Sequence, residues 1–274
     1  MSDDWLSVDR REAPLIVSMP HTGTDIPPEI EADLVSSWTA RKDADWWVDR
    51  LYDFAGAMDA TTIRTSMSRT VIDVNRDPSG KSLYPGQNTT ELCPTTTFDG
   101  EPLYRDGNAP GASEIARRHE RYFLPYHNAL AAEIARLRRK HARIVLFEAH
   151  SIRSRVPRLF EDELPNFNIG TNSGASCGRE LTTAIESICD ATEFSRITNG
   201  RFKGGYTTRQ YGNPDSGVHA IQLELACRGY MDEPDMPTPT NWPTPYDRAR
   251  AAAMRAVLTR ILHACLYFAS KDPT

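Results

Sequence analysis

The stretch that decides the fold is RIVLFEAHS, residues 143–151. Four apolar residues, Ile144 to Phe147, run without the polar alternation of a half-exposed strand. They predict a central strand buried inside a sheet. The run ends in polar residues, Glu148-Ala149-His150-Ser151. Two other apolar runs behave the same way. PLIVSMPH (14–21) predicts a buried strand over 14–19 that leads into Pro20-His21-Thr22-Gly23, and VHAIQLEL (218–225) predicts one that carries Gln222 and Glu224. In open α/β sheets, ligands bind outside the carboxyl ends of the strands. Two imidazoles and a carboxylate brought there by three separate strands point to a metal centre with a base beside it.

Outward from these runs, short β-branched segments alternate with longer amphipathic ones, the pattern of a mixed α/β fold. Residues 44–58 place Trp47, Leu51, Phe54 and Ala55 on one helical face. ATTIRT (60–65) and RTVIDVN (69–75) read as strands. The Pro-, Gly- and Thr-rich stretch 77–111 has no period and is too long for a mere connector, which suggests a binding loop or lid. A long helix is expected over about 113–141, bent at Pro125. NFNIGT (166–171) reads as a strand, followed by a helix at about 174–189. A last helix opens at Thr244-Pro245-Tyr246-Asp247, with Thr244 as its cap, and runs to about residue 270. With no repeat and no clean linker, residues 1–274 are expected to form a single domain with its core over about 13–270.

Composition narrows the function classes. The 274 residues are 39% hydrophobic and 25% charged, with 32 Lys+Arg against 37 Asp+Glu and a net charge of −5. Disorder does not fit this balance. The acidic balance argues against a nucleic-acid partner, and no uninterrupted apolar run approaches the roughly 20 residues of a membrane span. The polar, acidic start MSDDWLSVDRRE does not resemble a signal peptide, so a cytoplasmic location is expected. The five cysteines are scattered and form no CxxC pair, which fits buried thiols rather than disulfides or a zinc knuckle. A small-molecule ligand remains. The oligomeric state is left open.

A catalytic zinc takes three ligands, usually imidazole and carboxylate, and keeps a position for water. His21 and His150 supply two. Asp45, in Arg41-Lys42-Asp43-Ala44-Asp45-Trp46, is the preferred third, with Asp43, Asp25 and Glu29 as alternatives. The other histidines (His119, His127, His141, His219 and His263) sit on predicted helices or at a strand start and read as structural. Arg64, Arg69 and Arg76, together with Arg201 and Arg209 in the glycine-rich stretch 199–212, could gather carboxylates, because a planar guanidinium matches a carboxylate fork. A serine hydrolase is disfavoured, because Ser151 follows a metal ligand and no GxSxG elbow is present.

Five segments in order, Ser18 to Gly23, Asp43 to Leu51, Ser68 to Arg76, Glu148 to Ser151 and Gln222 to Glu224, resemble the N-formylglutamate amidohydrolase family. The match spans about residues 13–230. The resemblance implies a zinc-carboxypeptidase-like α/β fold and a divalent metal (Zn2+, or another such as Co2+). It also implies hydrolysis of N-formyl-L-glutamate to formate and L-glutamate in histidine breakdown. It casts Asp45 as a metal ligand beside His21 and His150, Glu224 as general base, and Asn75-Arg76 as the grip on a substrate carboxylate; Arg209 and Arg69 are expected to assist from the basic cluster. The carboxypeptidase His-x-x-Glu pair is not reproduced, since Thr24 stands three residues after His21. Two alternatives remain: a deacylase or carboxypeptidase-like hydrolase for another N-acyl acidic amino acid, and a non-catalytic binding protein for acidic metabolites.

Overall fold

The computed structural model describes residues 5–83 and 85–271. Its seven strands are β1 (Leu6–Asp9), β2 (Leu15–Met19), β3 (Thr61–Thr65), β4 (Ile144–Ile152), β5 (Phe167–Gly170), β6 (Arg196–Thr198) and β7 (Val218–Ala226). They form one sheet in the order β1-β3-β2-β4-β7-β5-β6. The four central strands, β3, β2, β4 and β7, run parallel, whereas β1 and β5 pair antiparallel to their inner neighbours, so the sheet is mixed. The helices are α1 (Pro28–Glu31), α2 (Val48–Leu51), α3 (Ala112–Arg118), α4 (Leu124–Arg138), α5 (Arg179–Asp190), α6 (Tyr206–Tyr211) and α7 (Arg248–Ser270).

Side-chain alternation along the central strands builds two apolar layers. Val145, Phe147 and Ala149 of β4 join Ile221, Leu223 and Leu225 of β7 in the layer under α5 and α7. Ile144 and Leu146 join Val218 and Ala220 under Tyr126, Leu130 and Leu137 of α4. On this second face the same period continues as Glu148 and His150 on β4 and as Gln222 and Glu224 on β7. Apolar positions thus give way to polar ones at the carboxyl ends. α7 is long and apolar enough by length and composition to cross a membrane, but it buries a stripe from Ala251 to Phe268 in the first layer.

Several expectations are corrected. Residues 44–58 do not form one helix: Trp47 adopts φ 63°, α2 spans only Val48–Leu51, and a separate 3-10 turn follows at Ala55–Met58. Residues 69–75 form no strand. Their short polar side chains bond to neighbouring backbone instead: the Ser68 hydroxyl accepts from the Thr70 N–H, and Asp73 from the Asn75 N–H. Such bonds compete with a ladder. The long helix is divided into α3, a π-helical turn at His119–Phe123, and α4, where Pro125 occupies the first turn and lacks an N–H. The cap of α7 is Asp247 rather than Thr244; its carboxylate accepts from the Ala249 and Arg250 N–H groups. The third predicted helix, 174–189, shortens to α5. α1, β1, β6 and α6 had no prediction.

His127 on α4 is buried and ties the two sides of the site support together. Its Nε2 lies 2.7 Å from the Val74 carbonyl and its Nδ1 3.0 Å from the Tyr211 hydroxyl. Burial holds the imidazole down at about 4 from its usual 6.5. A lowered folded-state value means that the neutral ring's contribution to stability is complete above pH 6.5 and is lost as pH falls toward 4. The loss is up to about 3 kcal/mol. Urea unfolding of wild type and His127→Gln between pH 4 and 7 should therefore show a shallower acid slope in the variant. Equal slopes would contradict this assignment.

Candidate active site

The site lies at the carboxyl end of the parallel strands, where three loops meet. β2 ends at Met19 and the chain turns through Pro20 to His21. The His21 carbonyl accepts the Asp45 N–H at 2.9 Å, so the backbone itself joins these two segments. Gly23 passes so close to the Ser66–Met67 backbone that a Cβ would lie 2.3 Å from the Ser66 carbonyl carbon. Only glycine allows this approach. His150 stands on β4 with Glu224 as its register partner on β7.

Three buried groups converge. His21 and His150 have ring centroids 4.9 Å apart. Both turn Nδ1 toward Oδ2 of Asp45, at 3.7 and 3.1 Å. One ligand atom from each of the three residues lies within 4.8 Å of the others. The alternative carboxylates are used elsewhere or stand outside. Asp43 accepts the Phe98 N–H at 2.7 Å, Glu29 pairs with Arg121, and Asp25 is exposed.

The outer nitrogens are held by further carboxylates. His21 Nε2 lies 2.7 Å from Asp73 Oδ1, and His150 Nε2 lies 3.3 Å from Glu148 and 3.1 Å from the Asn75 amide. A carboxylate behind each imidazole fixes which nitrogen faces inward. Asp73, which had no assigned role from sequence, is the hub. It also accepts the Asn75 N–H at 2.9 Å and lies 2.7 Å from Arg69 Nη2 and 3.3 Å from Arg76 Nε. Its membership in the Ser68 to Arg76 segment was the available signal, but an expected strand hid the turn that aims it.

A divalent cation fits these residues. Among the described residues, four buried carboxylates gather here, Asp45, Asp73, Glu148 and Glu224, and the arginines in contact with them are Arg69 and Arg76, which pair with Asp45 and Asp73. Buried charge must be balanced. Asp45 Oδ1 and Glu148 Oε1 are buried with no hydrogen-bond partner. Burial would lower the His150 imidazole, but hydrogen bonds to Asp45 and Glu148 outweigh it and push it up to about 10. Burial, followed by Arg69, lowers His21 to about 4. Burial raises Glu224 to about 7, against the opposing pull of His150. A bound cation would displace the His150 proton.

A cavity opens beside this cluster. It is lined by His21, His150, Glu224, Gln222, Asn75 and Gly205, by Arg69, Arg76 and Arg201, and by apolar Phe98, Ile152, Leu159 and Phe202; Asn88, Thr89 and Thr90 of the long loop complete it. Gln222 connects its parts: its carbonyl accepts the Gly205 N–H at 2.7 Å and its amide donates to Glu224 at 3.3 Å. The Asn75 carbonyl oxygens, main-chain and side-chain, receive the Tyr206 and Thr207 N–H groups at the start of α6. Gly205 is required there, since a Cβ would meet Asn75 at 2.4 Å. Arg209 does not line the cavity. It lies on α6 with its Nε donating to the Gly204 carbonyl. Arg201, from the same stretch, reaches the cavity wall, and its guanidinium holds the Leu159 and Asn88 carbonyls.

Comparison with known proteins agrees with this architecture. A model of the N-formylglutamate amidohydrolase family matches residues 13–231. The N-formylglutamate deformylase of Pseudomonas aeruginosa is 47% identical over 265 residues, covering 96% of this chain and 97% of that protein. The Pseudomonas putida N-formylglutamate deformylase is 42% identical over 265 residues, with 96% of each covered. The crystal structure of N-formylglutamate amidohydrolase from Ralstonia eutropha JMP134 has the same fold, with TM-score 0.75, 23% identity and coverage of 96% and 97%. A gene product from Agrobacterium tumefaciens shares it at TM-score 0.71, 18% identity and coverage of 97% and 96%. By the span of the family match and the identity to its relatives, the chain belongs to the N-formylglutamate amidohydrolase family.

Proposed function

We propose that this chain hydrolyses N-formyl-L-glutamate to formate and L-glutamate at the cavity beside His21, Asp45 and His150. One observation carries the reading: the three ligand atoms within 4.8 Å adjoin a separate buried carboxylate, Glu224, the register partner of His150. The names of the two deformylase relatives support the substrate. The residues come from segments spread between His21 and Glu224, so the chain is treated as one catalytic unit.

His21, Asp45 and His150 would hold zinc, or cobalt, through the two Nδ1 atoms and Asp45 Oδ2. When bound, such an ion acidifies water and polarises a carbonyl oxygen. Glu224 takes a proton from the attacking water as its oxygen adds to the formyl carbon. It then delivers that proton to the nitrogen as the C–N bond breaks. Burial raises Glu224 above the usual carboxylate range, which suits a group that must both take and give a proton. Gln222 aims the Glu224 carboxylate. Arg76, Asn75 and Arg201 bind the glutamate carboxylates, with Arg201 taking the role expected of Arg209. Arg69 balances Asp45 and Asp73 at the cavity wall. Holding both ends of the substrate aligns the formyl carbon with the water, a positioning effect worth several kcal/mol of barrier in favourable cases, up to ~7–11.

Formate release from N-formyl-L-glutamate should be lost on chelation and restored by zinc or cobalt. Glu224→Gln should keep its metal while kcat falls by roughly 10²–10⁴. Turnover close to wild type in that variant rules Glu224 out as the base. Ligand-induced stabilisation without formate release would favour the binding-protein reading. Asp73→Asn should weaken divalent-metal affinity about 10–100-fold, measured by competition with a chromophoric chelator. Unchanged affinity would remove Asp73 from the support of His21.

A further inference from the structure

The cavity has two chemically distinct walls, a basic one and an apolar one, and both share its lining with His21 and His150. Ile152 follows His150 by two residues on β4, so it shares that face, and its register partner Ala226 stands two residues past Glu224. The Phe98 ring lies 4.7 Å from the Arg69 guanidinium carbon, and Arg69 Nη1 lies 3.7 Å from Asp45 Oδ1. Phe98 and Ile152 pack with Val156, Leu164 and Ala226 in a small cluster separate from the two main layers. Both line the cavity while being only 6% and 5% exposed.

Phe98 comes from the long loop, yet it is held more firmly than a loop residue needs to be. Its N–H donates to Asp43. The next residue, Asp99, is gripped by Lys42 and Arg153 at 2.6 and 2.7 Å, and Lys42 also reaches Glu101 at 2.6 Å. Lys42 and Arg153 are themselves buried. Gly100, at φ 90°, closes the turn between Thr97 and Glu101. Asp43 stands two residues before Asp45, and Arg153 three after His150. The two ligand-bearing segments therefore fix the ring through ionic contacts. Buried ion networks are a poor source of net stability, and fixing geometry is one use that justifies them.

We propose that Phe98, backed by Ile152, sets the acyl-group limit: it admits the hydrogen of a formyl group and excludes a methyl or anything larger. This rests on the deformylase reading. A wall discriminates by size only if it cannot yield, and a close-packed ring anchored by charged groups at both flanks cannot. One methylene in an apolar pocket is worth about 10–200-fold in kcat/KM.

The test compares kcat/KM for N-formyl-, N-acetyl- and N-propionyl-L-glutamate in wild type, Phe98→Ala, Ile152→Ala and Asp99→Asn. Phe98→Ala should raise the acetyl-to-formyl ratio by at least about 10-fold. Ile152→Ala should raise it less. Asp99→Asn, which keeps the ring but loosens its anchor, should raise it by a few-fold. A merely structural role would lower turnover of all substrates together, so unchanged ratios in Phe98→Ala and Ile152→Ala with formyl turnover retained overturn the proposal. Should Phe98→Ala fail to fold, Phe98→Leu carries the same comparison. Wild-type protein that releases no formate from N-formyl-L-glutamate overturns the deformylase reading itself, and the acyl limit with it.

Discussion

Asp45 is a carboxylate almost wholly withdrawn from water, set between two imidazoles and opposite an arginine that already serves Asp73. Its burial is the constraint on which the site depends. An isolated buried carboxylate either acquires a proton or finds a cation. Here the surroundings add Asp73, Glu148 and Glu224 to the same region, where hydrogen bonds to Asp45 and Glu148 raise His150 and burial raises Glu224. A divalent ion satisfies that need in a single step, with the donor types such ions prefer.

The sheet supplies the rigidity that this arrangement demands. His150 and Glu224 are neighbours because β4 and β7 run parallel in one register, with Glu148 and Gln222 as the preceding pair on the same face. Below them the identical face is apolar and packed under α4. The polar cluster thus stands on a close-packed base and opens only toward the loops. Asp73 then connects the imidazole cluster to the arginine side of the cavity, since a single carboxylate contacts His21, Arg69, Arg76 and the Asn75 backbone. The long loop adds the remaining wall and is fixed to the ligand segments through Asp43, Asp99 and Arg153.

The strands that lead to His21 and carry His150 and Glu224 were legible because each apolar run ends abruptly in polar residues, a signal that depends only on local sequence. Asp45 was legible as one of four carboxylates, and geometry separates it from Asp43, Asp25 and Glu29. What escaped has no periodicity. Asp73 is aimed by side-chain-to-backbone bonds in a turn that looks β-like in composition. The helix expected over 44–58 fails at Trp47, whose left-handed backbone leaves the helical spacing of its apolar neighbours intact while breaking the helix itself. α6 is too short to show a period and owes its start to Gly205 docked on Asn75. Arg201 and Arg209 are indistinguishable in sequence, and only the path of that segment brings one of them to the cavity. Phe98 lies in a stretch whose composition announces a loop and nothing more.

The most direct measurement is X-ray absorption spectroscopy at the metal edge, combined with metal stoichiometry, on protein loaded with zinc or cobalt. One ion per chain in an oxygen and nitrogen shell with two imidazoles is the expected result, lost together in His21→Ala and His150→Ala. Sulfur in the first shell, or full metal retention after both histidines are removed, would contradict a centre built on His21, Asp45 and His150.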